Sequence, residues 1–320
     1  MTKESEALPS RPWFWKVARI ERDEAGAAFV AFAFIFCVFT AYMILRPVRE
    51  TMGITSGVSN LPALFWGTLA AMVLTQPIFG WLTSRYARTT FLPWVYIFFA
   101  ANLFGFYVWF HAQDDHTWIA RAFFIWLSVF NLFVVSVFWS LMADIFRPEQ
   151  AKRLYGFLAA GASTGGIVGP FIAATLAPII GSINLLLIST VLLIAALAAI
   201  KYLTRWHTRR VTDHAPSLSD RHGSDMNKPL GGSLWAGFWL VVRSKYLLSI
   251  ALFVMLLTWV STFLYLQQAE LVESAIADRD ARTQLFGWID FAVQTASFVT
   301  QVFLLSRLTR WPKFRTLIAI

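Results

Sequence analysis

Long apolar segments alternate with short charged connections along this chain, and the basic residues fall almost entirely into every second connection. All but five of the 27 lysines and arginines lie in the N-terminal arm or in the connections on the same side of the segments. The five on the opposite side are Arg46, Arg49, Arg121, Arg279 and Arg282. Such a bias is typical of multi-pass membrane proteins, whose cytoplasmic connections carry the excess positive charge. The pattern therefore predicts a polytopic membrane protein with a cytoplasmic N-terminus.

Eight segments are each apolar over about 20 residues or more, enough for a helix to cross a hydrocarbon core about 30 Å thick. Their predicted bounds are 25–45, 61–83, 91–111, 118–143, 154–180, 183–203, 246–269 and 284–305. Backbone groups in lipid must be hydrogen-bonded within their own segment, so each segment is expected to be a helix. A composition of 58% hydrophobic and 14% charged residues excludes an ordinary soluble domain. The predicted fold class is all-α, a polytopic helical membrane protein.

Several function classes are disfavoured. The net charge of +9 lies in the predicted cytoplasmic connections, where insertion topology and anionic lipid headgroups explain it, so nucleic acid is not an expected partner. Cys37 is the only cysteine, and the five histidines lie in connections without metal-ligand spacing. No GxxxxGK[ST] phosphate-binding loop is present. We therefore expect neither an enzyme nor a bound metal or cofactor.

The predicted spans group into four regions. Residues 1–24 are expected to be a cytoplasmic arm, and residues 25–203 an N-terminal bundle of six helices. Residues 204–232 are rich in His, Ser, Asp, Arg, Pro and Gly, which favours a flexible cytoplasmic linker. Residues 233–320 begin a C-terminal bundle that is incomplete, because the chain ends at the start of a ninth apolar segment.

The first helix carries charge near its outer end. Tyr42, Arg46 and Arg49 are spaced at i, i+4 and i+7, so they share one face, and Glu50 lies beside them. Two guanidinium groups on one face could bind a phosphate or carboxylate in a bidentate manner. Alternatively, both arginines extend to lipid headgroups, with Glu50 as a neutralising partner.

The eighth helix carries a polar stripe at intervals of three and four residues. Its members are Thr283, Gly287, Asp290, Gln294, Ser297 and Gln301. Such a stripe is expected to face protein or water rather than lipid, and Asp290 is the only acid well inside a predicted span. Asp290 could take up and release a proton, or it could form a structural hydrogen bond or ion pair with another helix. With the second bundle incomplete, we expect the stripe to lack neighbours and face lipid.

Other polar residues give weaker indications. On the fourth helix Ser136, Ser140 and Asp144 share a face, with Asn131 one turn further out. Gln267, near the outer end of the seventh helix, could bind a solute or cap the helix.

The fifth helix contains Gly161, Gly165 and Gly169, a small-residue ridge followed by Pro170. Small residues at this spacing allow close helix packing, and a moving interface would need the same smooth surface.

Residues 80–89, Gly-Trp-Leu-Thr-Ser-Arg-Tyr-Ala-Arg-Thr, resemble the connection between the second and third helices of major facilitator transporters. Gly80, Leu82, Arg85 and Arg88 match that family's pattern. Residues 143–156, which include Asp144, are similar to its connection after helix four. The resemblance implies a major-facilitator-like bundle, in which these residues and the fifth-helix glycines act in gating and conformational change.

More narrowly, residues 44–50, Ile-Leu-Arg-Pro-Val-Arg-Glu, resemble the ATP/ADP translocase family, together with residues 138–139, residues 149–153 and the glycine helix. The resemblance implies a role for Arg49 in nucleotide transport. Asn131 and Gln267 occupy the neighbourhoods of two glutamates of that family. With the residues taken from the first-helix face and the eighth-helix stripe, the predicted substrate-binding residues are Arg46, Arg49, Asn131, Gln267, Asp290 and Gln294.

We expect a secondary transporter in a bacterial-type inner membrane that moves a small anionic solute, such as a nucleotide or another phosphate-bearing molecule, by alternating access between two helical halves. Two alternatives remain open. One is a proton-coupled exporter that depends on Asp290 rather than Arg49, and the other is a non-transporting membrane scaffold or sensor.

Overall fold

The computed structural model describes residues 24–85, 88–146, 148–213 and 242–305. The long helices of these residues are α1 (Ala25–Thr55), α2 (Leu61–Arg85), α3 (Arg88–Ala112), α4 (Thr117–Ile145), α5 (Pro148–Ile180), α6 (Leu185–Asp213), α7 (Lys245–Ala275) and α8 (Arg279–Val299). A 3-10 turn at Val58–Asn60 precedes α2, and a π-helical stretch at Thr300–Leu305 follows α8. The predicted all-α class is confirmed.

Seven of these helices, α1 to α7, are long and apolar enough to cross a membrane. The eighth predicted segment differs from expectation, because its α-helix starts at Arg279 and ends at Val299. Asp278 sets this start, since its carboxylate accepts the backbone N–H of Ala281 at 2.7 Å and caps the first turn. This helix, which carries the predicted polar stripe, is not among the described helices that are long and apolar enough to cross a membrane.

α6 extends beyond its predicted end at 203, so residues 204–213 are helical rather than part of a linker. Thr204 and Thr208 donate their hydroxyls to carbonyls one turn back, both at 2.9 Å. The Trp206 ring also lies 6.4 Å from that of Phe146. The hydroxyl hydrogen bonds satisfy the two threonines, and the ring contact packs the extended part of α6 against the end of α4. Residues 214–232 of the predicted linker, and the arm before Glu24, lie outside the described residues.

α1 is the central helix, buried along most of its length. Its Phe34 ring contacts Tyr96 of α3 and Phe138 of α4 at centroid distances of 5.4 and 5.1 Å. On another side, Ser189 of α6 donates its hydroxyl to the Ala41 carbonyl at 3.1 Å. Because α1 packs against α3, α4 and α6, its side chains are in contact with the surrounding helices along most of its length.

The glycines of α5 lie directly against α1. A Cβ atom added at Gly165 would lie 2.7 Å from the Phe36 carbonyl oxygen, and one at Gly169 would lie 2.6 Å from Met43 Cβ. At Gly161 the corresponding distance, to a methyl of Ile35, is 2.9 Å. All three are too short for a real Cβ contact, so only glycine permits this approach. The packing role expected of the ridge is confirmed.

We call the end of the bundle that carries residues 56–60, 113–116, 181–184 and 276–278 the outer end, after the predicted topology, and the opposite end the inner end. α7 and α8 join the other helices at the outer end. There Ala269, Val272 and Phe286 are buried in one apolar cluster with Ile54 and Leu61. In contrast, no residue from Lys245 to Leu264 is buried among the described residues. α7 and α8 are thus closed against α1–α6 at the outer end and separated from them toward the inner end.

Candidate functional site

An ion pair between α1 and α8 is the centre of the candidate site. Arg46 Nη1 lies 3.2 Å from Asp290 Oδ1, with 36% of the Arg46 side chain exposed and 11% of that of Asp290. Asp290 lies roughly 16 Å along α8 from its first residue, at about 1.5 Å rise per residue. The pair is therefore far from either end of the helix. The sequence analysis predicted both residues but left the partner of Asp290 open.

Arg49 is held differently from Arg46. Its Nη1 pairs with Glu50 Oε1 at 3.1 Å, and its Nε donates to the Phe124 carbonyl at 3.3 Å. Its guanidinium carbon also lies 3.9 Å from the centroid of the Phe124 ring, a cation–π distance. The shared helical face was expected to make the two arginines a joint fork. Instead, Arg46 pairs with Asp290 of α8, whereas Arg49 pairs with Glu50 of its own helix and contacts Phe124 of α4.

Glu50 links α1 to α7. Its Oε2 accepts a short hydrogen bond from the Tyr265 hydroxyl, while Oε1 receives Arg49. The two arginines and two carboxylates sum to zero charge, which lowers the cost of placing them within a membrane. Sequence reasoning missed Tyr265 and Phe124, since neither aromatic residue stands out from many others in apolar helices.

The outer half of the α8 stripe is buried by α1 and α5. Thr283 is fully buried, and its hydroxyl lies 2.9 Å from that of Thr51. Gly287 packs against Ala174, where an added Cβ would lie 2.8 Å from the backbone nitrogen. The expectation that the stripe faces lipid is therefore wrong for this half, because α1 and α5 supply its neighbours. Ser297 and Gln301, in the inner half, are exposed.

Asp290 has a free acceptor. Its Oδ2 atom is buried and has no hydrogen-bond partner among the described residues. One turn further, Gln294 Nε2 lies 3.8 Å from the Met43 sulfur. A buried carboxylate oxygen is normally satisfied, so this atom is a place where a proton or a donor group would be accommodated.

A family model of the Major Facilitator Superfamily matches residues 27–320. The chain belongs to the Major Facilitator Superfamily. No curated protein and no solved structure gives a significant match. Family membership makes the chain a multi-pass membrane protein and a secondary transporter of a small-molecule solute. Members of the superfamily are typically transporters rather than enzymes.

Two other predicted binding residues of this major facilitator are on α4 and α7. Asn131 is half-buried on α4, and Gln267 is exposed on α7. Within the described part of the chain, neither side chain hydrogen-bonds to Arg46, Arg49 or Asp290. Gln294 is the predicted amide that the structure does bring close, since it lies one turn from Asp290 on α8.

The residues predicted to act in gating through the connections lie at the inner end of this major facilitator. Arg85 stacks over Trp81 at 5.7 Å from the ring centroid. A Cβ added at Gly80 would meet no atom within 4 Å, and Asp144 is exposed at the end of α4. The side chain of Arg88 is outside the described part. These residues form a region distinct from the Arg46–Asp290 pair.

Proposed function

We propose that this transporter moves a small anionic solute by alternating access, with Arg46 as the group that recognises the anion. The observation that carries the proposal is the Arg46–Asp290 pair, whose arginine is partly exposed while its carboxylate is buried. A guanidinium within the membrane needs a negative partner, and the exposed side of Arg46 allows an anionic solute to take that role in exchange with Asp290.

Charge balance supports such an exchange. An incoming carboxylate or phosphate can take over one face of the Arg46 guanidinium, and planar guanidinium groups bind such oxyanions in a bidentate manner. Because the ion pair joins α1 to α8, weakening it loosens a contact between the first six helices and the helices that follow. Solute binding is thereby coupled to helix movement by a single interaction.

The arrangement of α7 and α8 supports an inward-facing state. Their buried residues lie at the outer end, whereas their inner halves are exposed among the described residues. In alternating access, the outer contacts open when the inner halves close. Thr51–Thr283 and Glu50–Tyr265 are then outer contacts that must break during the cycle.

Counterflow into proteoliposomes tests the recognition group. Arg46→Lys should weaken solute binding about tenfold or more, because an ammonium cannot reproduce bidentate contacts. Arg282→Lys is the matched control, since Arg282 lies near the outer end and donates to the Ile276 carbonyl. Equal affinity in the Arg46 and Arg282 variants would remove Arg46 from recognition.

Within the anionic class, we propose a phosphate-bearing solute, with nucleotide exchange as the most specific form. The motif at residues 44–50 supports this choice, and Arg49 then acts by holding Glu50 in place. Loading liposomes with ATP, ADP, phosphate or an unphosphorylated nucleoside separates the possibilities. Exchange confined to phosphorylated compounds is expected, and equal exchange of the nucleoside would contradict it.

We also propose the predicted architecture and placement. Residues 25–203 form the N-terminal bundle, residues 233–320 begin the second bundle, and the N-terminus lies in the cytoplasm of a bacterial-type cell. The charge bias of the connections supports this orientation.

A second candidate function is proton-coupled export, favoured by the unpartnered Asp290 Oδ2 atom. Asp290→Asn keeps the shape of the side chain and its hydrogen bonding but removes titration. A transporter coupled through Asp290 should lose its response to a pH gradient while still exchanging solute. Retention of pH-driven uptake would assign Asp290 to packing alone, and absence of any flux in the native protein would favour a non-transporting scaffold.

A further inference from the structure

A histidine and an arginine join two connections at the outer end. Arg279, the first residue of α8, places its Nη1 atom 2.8 Å from Nδ1 of His116, which directly precedes α4. The other ring nitrogen, Nε2, lies 2.9 Å from the carbonyl oxygen of Phe110 at the end of α3. The ring also meets the Phe110 ring edge-on at 5.4 Å. His116 is therefore held from both sides.

These two partners determine the protonation state of the ring. A guanidinium can only donate hydrogen bonds, so Nδ1 must accept from Arg279. A carbonyl can only accept, so Nε2 must carry the hydrogen that it donates to Phe110. The contact thus requires a neutral imidazole. A proton on Nδ1 would place donor against donor and bring two positive charges together.

We propose that His116 is a proton-binding site at the outer end that controls closure of the transporter there. Neutral His116 accepts Arg279 and holds the start of α8 against the α3–α4 connection. Protonated His116 repels Arg279 and releases it. Histidine is suited to this task, because its charge changes between about pH 5 and 8.

Two other charged groups near His116, Asp115 and Asp280, have partners elsewhere. Asp115 accepts the backbone N–H of Thr117 at 3.0 Å, and this contact together with the Thr117 hydroxyl lowers the pKa of the Asp115 carboxyl. Asp280 accepts the Ser182 N–H at 2.8 Å. The remaining charged or titratable groups on the adjoining elements include Asp114, His111, Arg121, Glu270, Glu273, Asp278 and Arg282. No charged residue lies between 51 and 60.

The sign of the pH effect follows from these contacts. The negative charges of Asp114 and Asp115 favour a charged ring, whereas only the neutral ring can accept a hydrogen bond from Arg279. Closure through this contact is therefore present while the ring is neutral and is lost when the ring takes up a proton.

Release of Arg279 acts on the rest of α8. The adjacent Asp280 binds the α5–α6 connection, and Thr283, one turn further, bonds to Thr51. With one of the outer contacts of α8 removed, the balance shifts toward the outward-open state. The inference rests on alternating access, but it does not require the solute to be an anion.

Distance measurements by electron paramagnetic resonance test the proposal without transport. Spin labels at Ser59→Cys and Ala277→Cys, both exposed sites in a Cys37→Ser background, report the separation of the α1–α2 and α7–α8 connections. The full chain in nanodiscs is frozen at pH 7.5 and at pH 5. In the native background the ratio of long to short distances should rise about tenfold at pH 5, because the loss of one charge-assisted hydrogen bond changes the equilibrium by about that factor.

Two variants and one control identify the group. His116→Gln should keep the short distance at both pH values, because an amide can accept from Arg279 and does not titrate. Arg279→Gln should show the long distance at both. His111→Gln is the matched control, since His111 bonds to the Tyr107 carbonyl of its own helix and should leave the response unchanged. A pH response that persists in His116→Gln, or an unchanged native ratio, would overturn the proposal. A failure of anion binding would leave these distances unaffected.

Discussion

The contact between α1 and α5 allows the packing role of a single glycine to be measured. A methyl group at Gly169 would lie 2.6 Å from Met43 Cβ and 2.9 Å from the Thr40 carbonyl oxygen. Both neighbours belong to the central helix, and one is backbone, so neither can move aside alone. Gly169→Ala should therefore push α1 and α5 apart.

The magnitude follows from two opposing contributions. Overpacking a well-packed interior costs about 1–3 kcal/mol, whereas replacing a helical glycine by alanine stabilises the helix by about 1 kcal/mol. Gly156, on the same helix, is the matched control, because a Cβ added there would meet no atom within 4 Å. Gly156→Ala should show only the favourable contribution. The difference between the two variants isolates the packing cost, expected to be about 1–3 kcal/mol.

Unfolding in mixed micelles by added SDS, followed by tryptophan fluorescence, measures both variants under the same conditions. Gly169→Ala should unfold at lower denaturant than Gly156→Ala, with the free energies of unfolding differing by the packing cost. Equal free energies in the two variants would refute the argument that the glycine ridge sets the α1–α5 distance.

Three other predictions concern the outer end and the topology. Thr51→Val should lower the free energy of unfolding by about 1 kcal/mol through loss of the buried Thr51–Thr283 hydrogen bond, and Thr51→Val/Thr283→Val should cost less than the sum of the single changes in a double-mutant cycle. Tyr265→Phe should weaken the Glu50 contact and raise the fraction of outward-open protein by about fivefold, as read by the same spin-label pair; an unchanged distance distribution would remove Tyr265 from closure. Reporter fusions at Asp115 and Ser219 should lie on opposite sides of the membrane, and the same side for both would contradict the charge-based topology.

The long apolar segments were predictable, because hydrocarbon length and backbone satisfaction leave few alternatives to a helix. The residues at which the helices begin and end were less predictable. α8 begins at Arg279, where the carboxylate of Asp278 caps the helix, rather than at 284, where the apolar run starts. α6 continues to Asp213, since hydropathy reports where a helix meets water and not where its hydrogen bonds end.

The candidate site was only partly predictable for a different reason. Spacing places Arg46 and Arg49 on one face of the same helix, but it carries no information on which neighbouring helix each side chain contacts. Asp290 and Tyr265 are far from them in sequence, so their pairing depends on how α7 and α8 pack. The packing of these helices gives the two arginines different partners.

The position of α8 follows from its sequence pattern together with its packing against α1 and α5. Its polar stripe needs neighbours, and its Gly287 allows the helix to approach Ala174 closely enough for α5 and α1 to provide them. The same close approach brings Asp290 to Arg46 in the outer half. Further inward the helix leaves α5, and its polar residues are exposed among the described residues. A helix held by polar contacts at one end and free at the other can rotate about the held end, and the solute binding that we propose at Arg46 acts directly on the contact that holds it.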